Sequence, residues 1–379
     1  MRILNACFFC TTPFQILSAV NISLMNNEKA DIYIGAHFPQ AIEYASRLEK
    51  IGIFEKVIII DEEKIHKKYL KNNRGFFNHL EIAKSYLHIN EIAKMILVED
   101  THYEKAYTSS SRIYVGRMVQ LYFLKNRINT EFIYFDDGEG SYYNKITYSF
   151  RFLDILVRII LLGTRGLKSV VQKKKILLYS PELYKKLNPS SNAEVFTIKP
   201  FSAGEGLQTY VNDIFAISEK KLIGESVIIM DTVKTEFIAD HLELCYELVV
   251  EHFGVDNVVI KKHPRDTSIS DRTYKYYCEY SIPFEALSLN LDMENKVVIA
   301  LSSTATVMPK IIFNQEPYIV MLYELINIKN ESKRTKKQRE LFYKQCKAMY
   351  NDKGKFNIPK SCVEFENVLK RIKNELENK

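Results

Sequence analysis

At 379 residues the chain exceeds what one hydrophobic core comfortably fills, so two domains are expected. Its 46% hydrophobic and 26% charged content belongs to an ordinary globular protein and excludes a disordered or fibrous chain. A net charge of +7 is modest for this length; it favours an anionic ligand or a membrane surface, and no RNA-binding signature or zinc-finger spacing points to nucleic acid.

Residues 2–9 read as a first strand. Thr12-Pro13-Phe14-Gln15 then opens a helix, with Thr12 as N-cap, Pro13 at the first position and Gln15 completing a capping box. Residues 31–35 and 56–60 are the next strands, and 79–98 carry helical apolar spacing. A short strand over 105–107 ends in Ser109-Ser110-Ser111, a helix covers 112–125, and the strand 131–135 runs straight into Asp136-Asp137-Gly138. This β-then-α rhythm implies a parallel sheet covered on both faces.

From Tyr142 to Lys175 the rhythm breaks. The segment is apolar and basic together, with Arg151, Arg158, Arg165, Lys168 and Lys173-Lys174-Lys175. A buried interdomain or dimer helix explains its apolar part; a helix lying on an anionic bilayer would also use its bases. A polar stretch from Asn188 to Asn192, with Pro189, reads as the approach to a linker. A second alternation comes after it: strand 226–230, helix 234–253, strand 257–262, short helix 283–289, strand 297–301, helix 304–313, strand 317–322, then charged helices from 331. No internal repeat stands out. The expected domains are 1–200 and 201–379.

Three apolar runs end in chemistry-bearing residues. One delivers Asp136-Asp137-Gly138, another Lys261-Lys262-His263-Pro264, the third Ser302-Ser303-Thr304. In open α/β sheets, ligands bind beyond the carboxyl ends of the strands. Two adjacent aspartates repel, which raises one pKa towards the range useful in a general base; an isolated Asp-Gly would be only a turn. Asp136 would orient the loop and Asp137 take a proton. His263 before a proline is held extended at the strand end, where an imidazolium meets phosphate; the bland reading is a surface histidine in a basic turn. The Ser/Thr cluster would cap the following helix, and such a capped start also holds anions. Glu285, opening the short helix after Pro283, faces solvent or accepts from a ribose diol. No GxGxxG, Walker lysine motif, HExxH or paired CxxC is present, so dinucleotide, P-loop and metal readings are poor. Cys7 and Cys10 read as small buried residues, and six scattered cysteines fit a reducing compartment.

Taken together, Asp136-Asp137-Gly138, His263-Pro264 and Ser302-Ser303-Thr304 resemble, in order, the acid-acid-Gly, HP and Ser/Thr motifs of bacterial sialyltransferases of glycosyltransferase family 52, shared with bacterial polysialyltransferases. The opening Phe8-Phe9-Cys10-Thr11-Thr12-Pro13-Phe14-Gln15 is similar to that family's first strand and helix. The resemblance spans about the first 320 residues and rests on short motifs. It implies a GT-B fold, two Rossmann-like domains facing across a cleft, with the acceptor on the first and the donor on the second. It further implies inversion at the anomeric carbon and a CMP-sialic acid donor. His263 and Pro264 would then serve the donor phosphate with Ser302, Ser303 and Thr304, and Glu285 the cytidine ribose. The base would be Asp137, with Asp231 in reserve, since in family 52 an aspartate after the first strand of the second domain has that role.

The expected function is transfer of sialic acid to a hydroxyl, such as that of a terminal galactose, on a bacterial capsule or lipooligosaccharide precursor. The alternatives are another CMP-linked nonulosonic acid or a nucleotide-hexose as donor, or a non-catalytic sugar-nucleotide-binding assembly protein. A monophosphate leaving group can be met by an imidazolium and N–H or O–H donors, so neither metal nor cofactor is expected. The N-terminus lacks a signal-peptide pattern and no apolar run is long enough to span a bilayer. A cytoplasmic protein is therefore expected, with peripheral contact to the inner face of an anionic membrane, a homodimer as a further arrangement, and no nucleic acid partner.

Overall fold

The computed structural model describes residues 2–36, 38–70, 81–82, 84–99, 101–109, 114–143, 155–156, 158–166, 174–200, 206–231, 242–262, 274–279, 281–326, 328 and 331–378. The chain divides into two compact units, Met1–Lys199 and Pro200–Lys379.

The first unit carries strands β1 (Arg2–Cys10), β2 (Ala30–Gly35), β3 (Lys56–Ile60), β4 (Thr101–Thr108), β5 (Glu131–Phe135), β6 (Lys175–Leu178) and β7 (Glu194–Thr197). They form one parallel sheet in the order β3-β2-β1-β4-β5-β6-β7. Helices α1 (Pro13–Asn26), α2 (Ala41–Ile51), α3 (Glu62–Tyr69), α4 (Ile89–Ile96), α5 (Tyr114–Lys125), α6 (Glu139–Tyr142) and α7 (Pro181–Leu187) lie between them in sequence. Helix α4 buries Ile89, Ile92 and Ile96, spaced as one helical stripe, and α5 adds Val115, Met118 and Val119. Both pack on Cys7, Phe9, Tyr33 and Tyr103 of the sheet. Gly116 lets α5 come close: a Cβ there would lie 2.6 Å from Thr108 Oγ1 on β4.

An aromatic layer joins β1, β4 and β5. Phe8 of β1 stacks on Tyr107 of β4 at 4.5 Å and meets Phe135 of β5 edge-on at 6.3 Å. Each such pair contributes about 0.5–1.5 kcal/mol beyond area burial.

The second unit holds β8 (Val227–Met230), β9 (Val258–Lys261), β10 (Val297–Ala300), β11 (Tyr318–Met321) and β12 (Phe356–Asn357), parallel in the order β12-β11-β10-β8-β9. Its helices are α8 (Leu207–Phe215), α9 (Leu242–Phe253), α10 (Phe284–Ser288), α11 (Met308–Phe313), α12 (Lys333–Met349) and α13 (Cys362–Glu377). Every residue of β8 to β11 is buried, as expected of parallel strands covered on both faces. One face packs Val227, Ile229, Val258, Ile260, Val297, Ile299 and Val320 against α9 and α13. The two Rossmann-like α/β domains expected from the sequence are thus present.

Several sequence expectations are corrected. The strand read over 105–107 is the eight-residue β4, because its polar start, Thr101-His102, still pairs with Arg2 and Ile3 of β1. The polar stretch from Asn188 to Asn192, read as the approach to a linker, is followed by one more strand before the division after Lys199. It is the turn from α7 into the edge strand β7, with Asn188 Nδ2 bonded to the Tyr142 and Tyr184 carbonyls. The lysine run partly enters the sheet: Lys175 begins β6 and pairs with Glu131, and Lys174 lies 5.4 Å over the Tyr134 ring. Arg158 is buried beside Gln120, and Arg165 donates to the Leu124 and Lys125 carbonyls at the end of α5. Lys173, Arg151 and Lys168 lie outside the described residues. No described helix is long and apolar enough to cross a membrane. Cys7 and Cys10 are fully buried and free, and burial pushes both thiols up.

Candidate active site

In each sheet the chain reverses its direction of strand addition once. The carboxyl ends of the strands flanking that reversal are where α/β folds hold ligands.

In the first sheet the reversal lies between β1 and β4. Thr12 caps α1 by accepting the Gln15 N–H at 3.3 Å, and Pro13 takes the first turn. The return bond of the expected capping box differs by one residue: Gln15 Oε1 accepts from the N–H of Thr11 at 2.5 Å and from its hydroxyl at 3.1 Å. Gln15 Nε2 then donates to Ser109 Oγ at 2.8 Å, tying the end of β1 to the end of β4. The sequence pattern accounts for Gln15 only as a cap. It displays the serine cluster after β4 but not the neighbour that cluster meets across the sheet.

One strand further on, β5 delivers both aspartates. Asp136 is 0% exposed. Its Oδ1 accepts the Gly138 N–H at 2.9 Å, and its Oδ2 accepts from the Tyr142 hydroxyl at 2.5 Å and the Tyr179 N–H at 3.2 Å. Burial pushes its carboxyl up to about 7, against the pull of these three donors. Repulsion within the pair, the cause expected from sequence, is the smallest contributor; desolvation of Asp136 is the largest. Asp137 is half-buried, and its Oδ1 accepts from the Ser141 hydroxyl at 2.8 Å. The same Ser141 Oγ accepts the Asp137 N–H at 2.9 Å. Gly138 makes the turn into α6 at φ 98°, ψ −153°, a conformation open essentially to glycine alone.

In the second sheet the reversal lies between β8 and β10. Asp231 comes directly after β8; its N–H donates to the Lys261 carbonyl at 2.9 Å and its Oδ1 accepts the Tyr246 hydroxyl at 3.1 Å. Ser302, Ser303 and Thr304 come after β10 and are half-buried. The expected helix cap is absent. Ser303 makes no side-chain cap bond; its carbonyl instead accepts from the Thr306 N–H and hydroxyl at 3.3 and 2.7 Å. The chain then makes a 3₁₀ turn, Thr304–Val307, and enters the six-residue α11.

Lys261, the last residue of β9, is 2% exposed. Burial pushes its ammonium down to about 8, partly offset by the Glu285 carboxylate in the first turn of α10. Burial likewise raises the half-buried Glu285 carboxyl, and Lys261 opposes that rise. Lys261 Nζ sits 5.5 Å from the Tyr277 ring centre and Lys262 Nζ 5.3 Å from that of Tyr276. In the sequence Lys261 stands out only as a neighbour of His263; that it turns inward beside Glu285 depends on α10, far along the chain. His263 and Pro264 lie outside the described residues. Among the described residues no cluster of His, Cys, Asp or Glu is arranged to hold a metal ion.

No protein-family profile matches the chain, and a search of curated proteins finds no match. Solved structures similar to it include the glycotransferase of kitacinnamycin, with 9% identity over 100% of this chain and 96% of that one, at a TM-score of 0.48. LpCGTa in complex with UDP gives 9% identity over 99% and 94%, at 0.44. Phytolacca americana UGT2, complexed with UDP-2fluoro-glucose and pterostilbene, gives 10% over 98% and 95%, at 0.34. At these scores the functional reading rests on the residues at the two sheet edges.

Proposed function

We propose that the chain is a glycosyltransferase of GT-B architecture that transfers a sugar from a nucleotide donor, namely sialic acid from CMP-sialic acid, to a glycan hydroxyl with inversion. The observation that carries this reading is the aspartate pair at the end of β5. One member is sealed in and bonded three times, while the other is half-buried at the carboxyl end of β5, one strand from the reversal. A carboxylate so placed can take the proton of an acceptor hydroxyl as its oxygen attacks the anomeric carbon. The bond to CMP breaks as the new glycosidic bond forms, and negative charge grows on the leaving phosphate.

The second domain supplies groups suited to that charge. The Ser302, Ser303 and Thr304 hydroxyls and the Lys261 cation come at strand ends of one sheet; His263 and Pro264 would serve the same phosphate by resemblance. Glu285 is suited to accept from a ribose diol. Hydrogen bonds and cations aimed at a leaving monophosphate stabilise it without a metal. Asp231 is the second candidate base, because it flanks the reversal between β8 and β10. A cytoplasmic enzyme working on a lipid-linked glycan at an anionic membrane fits this chemistry.

The test is a panel of nucleotide sugars assayed for nucleotide release with and without a galactose-terminated acceptor. CMP-sialic acid is expected to turn over, and to do so in excess EDTA. Turnover only of a UDP- or GDP-hexose would replace the donor, and loss of activity in chelator with recovery on magnesium would replace the metal-free mechanism. No nucleotide release from any donor would leave a binding protein.

A further inference from the structure

The helical turn α6 is four residues long, yet two of them hold the two aspartates. Tyr142 takes Asp136 and Ser141 takes Asp137. Tyr142 is itself anchored from three sides. Its hydroxyl donates to Asp136 Oδ2 and accepts the Ser180 N–H at 3.2 Å, and its carbonyl accepts Asn188 Nδ2 at 2.8 Å. The Tyr179 N–H reaches the same Asp136 oxygen. The turn is therefore bolted to the corner between β6 and α7, and Ser141 is carried on a rigid mount.

The direction of the Ser141 hydrogen bonds is set by chemistry alone. Its oxygen receives the Asp137 N–H at 2.9 Å, so that lone pair is committed. Its own proton points to Asp137 Oδ1 at 2.8 Å. A hydroxyl donating to an ionised carboxylate makes a charge-assisted bond, and holding Oδ1 fixes the rotation of the whole carboxylate. The bond to the backbone N–H closes the loop. The second bond acts on the group that the proposed function makes the base.

We propose that Ser141 is a positioning residue for glycosyl transfer: its hydroxyl holds the Asp137 carboxylate in the orientation that receives the acceptor proton. This rests on the reading of Asp137 as base. Ser141 acts through the Asp137 carboxylate that it holds, so its effect falls on turnover rather than on binding. Misplacing a reacting group by about 1 Å costs up to about 100-fold.

The experiment uses the full chain with CMP-sialic acid and a galactose-terminated acceptor. Ser141→Ala is expected to lower kcat by about 10- to 100-fold, with the KM of each substrate and the CMP affinity nearly unchanged. Ser141→Thr, which keeps the hydroxyl, is expected to restore most of the loss. In an Asp137→Asn background, Ser141→Ala is expected to add nothing. Wild-type kcat in Ser141→Ala beside an inactive Asp137→Asn overturns the inference and leaves the base assignment standing. A Ser141→Ala loss that Thr does not restore, or that persists in the Asp137→Asn background, marks a structural residue and also overturns it. Near-normal turnover in Asp137→Asn removes the base reading, and the inference falls with it.

Discussion

Burial holds the Asp136 carboxyl up at about 7, whereas the same side chain in the unfolded chain releases its proton near 4. Between those values the folded state keeps a proton that the unfolded state has lost. The contribution to stability is therefore full below about pH 4 and is lost as pH rises through about 7. Asp136→Asn is expected to remove that part of the pH dependence in chemical denaturation. It should also cost about 1–3 kcal/mol, because an amide nitrogen cannot accept from both the Tyr142 hydroxyl and the Tyr179 N–H. An unchanged pH slope in the variant would contradict the assignment. Asp137 answers to a different measurement. Asp137→Asn should lower kcat by about two to four orders of magnitude with CMP affinity little changed; a normal rate there, with Asp231→Asn inactive, moves the base to Asp231. The sequence shows that the two acids are adjacent and come after an apolar strand. It does not show which one is sealed in, since that depends on Tyr142 and on Tyr179, the residue just past β6.

At the scale of elements, strands buried on both faces are the most legible in the sequence. Val297-Val298-Ile299-Ala300 and Val258-Val259-Ile260 are apolar at every position because helices cover both sides. The strands β6 and β7 leave little trace for the opposite reason. At the sheet edge, β7 exposes most of Glu194-Val195-Phe196-Thr197 and shows no run, while β6 opens on a lysine paired with Glu131. The tie from Gln15 to Ser109 is hidden because it depends on β4 lying beside β1, a matter of strand order and not of spacing. The contact between α5 and β4 offers a test of packing. Gly116→Ala places a methyl 2.6 Å from Thr108 Oγ1 and should cost about 1–3 kcal/mol in denaturation experiments. Thr108→Ala removes the opposing oxygen and should recover part of that loss in the double variant. Additive losses would show that the two residues do not meet.

Across the whole molecule, the two sheets differ in strand order: the first adds strands to both sides of β1, the second to both sides of β8, with different lengths on each side. This agrees with a sequence that shows no internal repeat. The proposed donor groups belong to the second unit, so hydrogen exchange in the presence of saturating CMP is expected to slow within Pro200–Lys379, around the ends of β8, β9 and β10. Protection confined to Met1–Lys199 would reverse the assignment of donor and acceptor sides. The placement of α13 has a consequence for synthesis. The seven strands described in the first unit are complete by Thr197, so they emerge while the rest of the chain is still on the ribosome. The second unit has no such freedom, because Phe365, Leu369 and Ile372 of α13 pack on the same sheet face as Val227 and Val258. Until those residues emerge, the part of this valine and isoleucine face that α9 does not cover stays open. A chain cut short beyond residue 330 would therefore carry every described strand of the first unit beside a second unit whose apolar face lacks α13, the form that chaperones and proteases would meet.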